Sequence, residues 1–92
     1  MTKDQTEKGV AELAQQCAVI GATRYLQANG LKADPSALAD CLMSWIKAKL
    51  PEALHDAREA YEANMAQVGE TTFRATMMQA GIEAAKEAGF PA

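Results

Sequence analysis

Bulky apolar side chains are scarce in this chain. Leu, Ile, Val and Phe together supply 15 of its 92 residues, a share low enough to raise the question of disorder. Two other observations answer it. Net charge is only -3, and the missing bulk is replaced by 20 alanines, the best helix formers, rather than by Ser, Pro or Gln. An excess of basic charge is lacking as well. Nine Lys and Arg residues, scattered along the chain against 12 Asp and Glu, give no general attraction to nucleic acid or to an anionic membrane. Long apolar runs are also missing. The longest uninterrupted stretch of apolar or glycine residues, Cys17 to Ala22, is far too short to cross a bilayer. Met1 to Gln5 lacks the apolar core of a signal peptide, so the expected location is cytoplasmic. Two cysteines, Cys17 and Cys41, do not make a disulfide framework. Both fall on apolar helical rows, which predicts buried free thiols.

What is present is helical periodicity, and the length fits a single domain over residues 1–92. No internal repeat and no alternating strand pattern interrupts it. The first helical segment is expected over about 4–28, with Val10, Leu13, Ala14, Cys17, Ile20, Gly21, Tyr25 and Ala28 on one face. Thr2 and Gln5 fit a capping box at its start, and Asn29-Gly30 reads as a left-handed cap at its end. Asp34-Pro35 supplies an N-cap side chain followed by proline in the first turn. A second helix, about 35–50, then carries Leu38, Cys41, Leu42, Trp45, Ile46 and Leu50 as a clean apolar row. Pro51 favours a new start, giving a third helix over about 51–68, or else a kink in one longer helix. The third segment is expected to bury Leu54, Ala57, Tyr61, Met65 and Val68 and to stop at Gly69. A fourth, capped by Thr71 or Thr72 and running over about 72–88, ends at Gly89 and Pro91. Its two adjacent apolar rows, one from Phe73 to Ala88 and one of Met78, Ile82 and Ala85, make a face wide enough to touch two partners. The expected fold is all-α: a compact bundle of four helices, three if Pro51 only kinks, with mostly antiparallel neighbours.

Candidate chemistry is thin. Glu52-Ala-Leu-His55 is the spacing by which di-iron carboxylate bundles place a carboxylate and an imidazole on adjacent turns, and Glu59 extends it. Measured from Leu54 at the centre of the apolar row, however, Glu52 and Glu59 lie roughly 140–160° away, on the solvent side. That leaves Glu52, His55 and Glu59 as weak metal-ligand candidates, and no cofactor is expected. No enzyme is expected either. The cysteines sit on apolar rows away from His55, and Ser36 and Ser44 have no nucleophile elbow around them. For a helix-turn-helix, the third segment presents Glu52, Asp56, Glu59 and Glu62 where phosphates would lie, which weighs against nucleic acid.

Met43 lies off the Leu38–Ile46 row and so is expected at a surface, and with Met78 and Ile82 it is the best candidate for an intermolecular contact. A thin core gains stability by association. The functional expectation is therefore a non-enzymatic interaction or regulatory module that binds a protein, itself included as a homodimer. A metal-binding bundle and a small DNA-associated regulator are the alternatives.

Overall fold

The computed structural model describes the chain from Lys3 to Ala92, with side chains from Gly9 onward. Three helices account for it: α1 (Lys3–Ala28), α2 (Pro35–Glu62) and α3 (Ala66–Ala88). The all-α class and the three-helix form follow, and four separate helices do not. The expected capping box at Thr2 lies outside the described residues.

Where the local backbone chemistry is strong, it sets the boundaries. Gly30 takes a left-handed conformation (φ 64°) after α1, and the Leu31 N–H donates to the Leu26 carbonyl at 2.8 Å. The Asp34 carboxylate accepts from the Ala37 N–H at 3.3 Å, with Pro35 opening α2. Gly89 (φ 66°) closes α3.

Pro51 does not break α2. It is exposed, so the carbonyl four residues back, on Lys47, is left facing water rather than stranded in the core. Nor does Gly69 end a helix. The true turn is Ala63 to Met65, with Asn64 in the left-handed region (φ 60°), where asparagine is the non-glycine residue best tolerated. Gly69 instead lies inside α3, buried, where a Cβ would sit 3.0 Å from the Ala57 carbonyl oxygen. Thr71 and Thr72 are interior to α3, whose N-cap, Met65, makes no side-chain cap bond.

α3 is the central helix. It packs closely on both α1 and α2, whereas α1 and α2 touch each other least. The wide apolar face expected of this segment therefore serves two helices of its own chain. Small residues make both seams. A Cβ at Gly21 would overlap the Met78 carbonyl oxygen, and one at Gly81 would overlap that of Ala18, so the α1 and α3 backbones are in direct contact. Ala14, Ala18 and Ala22 on α1 and Ala84 and Ala85 on α3 are likewise buried around this crossing. On α2, Ala53 and Ala57 are buried where Gly69 approaches.

Pairings fix the directions. Lys86 sits over the Tyr25 ring at 5.8 Å, and the Lys32 N–H donates to the Pro91 carbonyl at 2.7 Å. At the other end, Val10 and Leu13 share a groove with Gly69 and Phe73. Residue numbers thus rise together, and α1 and α3 are parallel; the short turns make α2 antiparallel to both.

The segment after Pro51 departs in part from the expected burial. Ala57 is inside as expected, and so is Ala53, but Leu54 is half-buried, and Tyr61, Met65 and Val68 are about half exposed. Ile20, expected on the inner face of α1, is 44% exposed.

Three variants test this architecture by urea denaturation. Gly81→Ala forces a methyl group into the Ala18 backbone and is expected to lose about 3 kcal/mol, the upper part of the range for overpacking. Gly9→Ala, at an exposed helical position with nothing near its Cβ, should gain about 0.5–1 kcal/mol. A Gly81→Ala variant as stable as the parent would refute the backbone contact. Pro51→Ala restores an N–H inside α2. Proline in a helix interior costs about 3 kcal/mol, partly offset by the roughly 1 kcal/mol it removes from unfolded-chain entropy, so a net gain of about 2 kcal/mol is expected. A loss would show that α2 needs the proline for its path.

Candidate functional site

The packing of α1 and α2 onto α3 through small residues leaves larger side chains at the margin between them. Val10 and Leu13 of α1 face Leu50, Leu54 and Tyr61 of α2 across an open groove floored by Gly69 and Phe73 of α3. Its volume is about 530 Å³. Phe73 is buried, Val10, Leu13, Leu50 and Leu54 are half-buried, and Tyr61 is 54% exposed. The rim carries one charge of each sign, Arg58 from α2 and Glu70 from α3, the latter also accepting from Arg74 at 2.7 Å.

Met43, singled out from sequence, is 49% exposed. It stands seven residues before Leu50 and eleven before Leu54, within about 20° of both on the helix circumference, but it is not among the residues that line the groove. Met78 and Ile82 do not share that surface. Both are half-buried, and on α3 they stand roughly 140° and 180° from Phe73, the floor residue. Met78 belongs to the α1–α3 seam, where its carbonyl faces Gly21. The expectation of Met43 at a surface fits its exposure, but the groove itself was missed, because Leu54 and Tyr61 were assigned to the core.

The weak metal candidates divide. His55 and Glu59 pair at 3.2 Å, while Glu52 pairs with Lys49 at 3.5 Å. Asp56 takes the place expected for Glu52: His55, Asp56 and Glu59 each bring one ligand atom within 4.8 Å of the others. His55 and Glu59 are exposed, and the cluster lies outside the groove lining.

Both cysteines are free. Cys17 is buried among α1 and α3 residues, whereas Cys41 is half-buried and its S–H donates to the Leu38 carbonyl at 3.2 Å. Burial pushes both thiols above their ordinary value; Arg74 partly offsets this at Cys17, and Asp40 adds to it at Cys41. Among the described residues, no helix is long and apolar enough to cross a membrane.

Fold and groove together define a small three-helix bundle with an apolar cleft along one seam. Compared with protein-family models, with curated proteins and with solved structures, the chain matches none.

The thiol environment is testable. Iodoacetamide should alkylate the folded protein far more slowly at neutral pH than the denatured chain, with Cys17 slower than Cys41. The folded state holds these thiol protons more tightly, so their contribution to stability is complete below the ordinary thiol value and is lost as pH rises past it. Alkylation of the folded chain at the denatured rate would contradict the burial.

Proposed function

We propose that this protein is a non-enzymatic interaction module whose groove between α1 and α2 receives an amphipathic helix from a protein partner. The observation that carries the reading is the open, apolar groove of about 530 Å³, walled by Val10, Leu13, Leu50, Leu54 and Tyr61. Helix-in-groove recognition needs a trough of helical length with apolar walls and few polar groups. Here the α2 wall from Leu50 to Tyr61 covers three turns, about 17 Å at 1.5 Å per residue. Large apolar side chains left half exposed along one row are the usual mark of a contact surface. Two rim charges, Arg58 and Glu70, supply orientation rather than bond-making chemistry.

The test is binding of a synthetic amphipathic helix of about 20 residues, with Leu at i, i+3, i+4 and i+7 spacing, followed by fluorescence anisotropy. Saturable binding is expected, weakened about tenfold or more by Leu54→Glu or by Tyr61→Glu. Tyr61 is already exposed, so its variant keeps the fold, as circular dichroism will report. Absence of binding, or equal binding by parent and both variants, overturns the reading.

A further inference from the structure

We infer that Asn29 is a site of self-modification, a deamidation centre whose rate is set by how often the Lys32–Pro91 end of the bundle opens. The site lies at the far end of α1 from the groove and is independent of it. It begins with the dipeptide that caps α1. Asn29 and Gly30 follow the last helical residue, Ala28, and both are exposed. Gly30 takes φ 64°, with nothing within 4 Å of the place a Cβ would occupy, so no side chain shields its peptide nitrogen.

That nitrogen and the Asn29 side chain are the two reactants. Hydroxide takes the Gly30 N–H proton, and the nitrogen adds to Asn29 Cγ. The Cγ–Nδ2 bond breaks, and Nδ2 leaves as ammonia after taking a proton from water. Water then opens the cyclic imide at either carbonyl, giving aspartate or isoaspartate. Nothing is oxidised or reduced, and only water is consumed.

The chain's second asparagine supplies the contrast. Asn64 is also exposed, yet the nitrogen that would attack it belongs to Met65, which carries a side chain and donates to the Ala60 carbonyl at 2.8 Å. The Gly30 N–H is held more loosely, at 3.3 Å from the Gln27 carbonyl. What restrains Asn29 is its own amide. Nδ2 donates to the Tyr25 carbonyl at 2.9 Å, which keeps the side chain folded back on α1. Two neighbouring bonds close that arrangement: the Leu31 N–H to the Leu26 carbonyl at 2.8 Å, and the Lys32 N–H to the Pro91 carbonyl at 2.7 Å. Phe90, half-buried against the core, anchors the tail that supplies Pro91. Opening this end frees Nδ2 and the Gly30 nitrogen together, so reaction follows local opening. The product does not restore the cap. A carboxylate cannot donate to the Tyr25 carbonyl, and it adds negative charge at the negative end of the α1 dipole.

The full chain is held folded at mildly alkaline pH and, in parallel, unfolded in guanidinium chloride. Mass spectrometry of the tryptic peptides 25–32 and 59–74 then follows conversion of amide to acid at each asparagine. Asn29 is expected to convert in the folded chain, about tenfold more slowly than in the unfolded one, with Asn64 lagging behind it in both. Phe90→Ala, its helix content checked by circular dichroism, should speed the folded-state reaction several-fold and leave the unfolded rate alone. Gly30→Ala should slow the reaction in the unfolded chain, where its backbone strain has no part. No conversion of Asn29 in the folded chain, Asn64 converting as fast, or equal folded and unfolded rates would overturn the inference. So would a folded Phe90→Ala chain reacting at the parent rate, or an unfolded Gly30→Ala chain doing so.

Discussion

The arrangement depends on one contact, the meeting of the α1 and α3 backbones at Gly21 and Gly81. Each glycine lies against a carbonyl of the opposing helix, Met78 for Gly21 and Ala18 for Gly81, so the approach is closer than any residue with a Cβ would permit. At that distance, Cα–H groups face carbonyl oxygens, a weak attraction that recurs where helices nearly touch. The contact is reciprocal and joins two parallel helices, which places their ends at matching levels: Tyr25 under Lys86, and Lys32 bonded to Pro91. The parallel pair then defines a surface on which α2 must lie antiparallel. Because α2 also docks on α3 through small residues, Ala53 and Ala57 opposite Gly69, it is held by the same helix that holds α1.

Close packing by small residues reverses the ordinary relation between side-chain size and burial. Most of the buried apolar side chains among the described residues are alanines, and the largest fully buried one is Met77. Where backbones nearly touch there is no room for Leu or Tyr between them, so the larger residues collect at the seam margins. Between α1 and α2, which scarcely touch, the two margins face each other and enclose a groove instead of closing into a core. The groove is thus a consequence of the two tight seams on α3.

This explains which parts were legible in the sequence. Asn29-Gly30, Asp34-Pro35 and Gly89 announced their boundaries because the signal is local: a left-handed residue or a capping carboxylate acts on its own turn of backbone. Pro51 and Gly69 carry equally strong local signals, and packing overrode both. Pro51 is on the exposed side of α2, where an unpaired carbonyl is hydrated, and Gly69 is selected for close approach to Ala57 rather than for a turn. Asn64 was the available sign of the real turn. The rows on the first half of α2 and on α3 were read correctly through Leu42, Ile46, Phe73 and Met77, since large residues are buried there. In the second half of α2 the burial of Ala57 was read correctly, but Leu54 and Tyr61 were misread because they outweigh Ala53 on any hydrophobicity scale, although the alanines are the ones inside. Of the candidates Glu52, His55 and Glu59, the structure pairs His55 with Glu59, since i and i+4 share a helix face whatever the tertiary fold, and Glu52 with Lys49 instead of His55.

The same reasoning separates the groove from an ordinary packing defect. A defect arises where a core side chain is too small for its space, and it shrinks when neighbours relax inward. Here the neighbours cannot relax inward: α1 is stopped by carbonyl oxygens at Gly21 and Gly81, and α2 by the Ala57–Gly69 approach, so the α1–α2 separation is set by backbone rather than by the residues that line it. Enlarging a wall residue would narrow the groove, but shrinking one would not close it. A cleft whose width is fixed by two backbone stops presents the same walls to whatever enters, without the cost of first ordering itself. Burial of Leu50, Leu54 and Tyr61 is then left incomplete among the described residues.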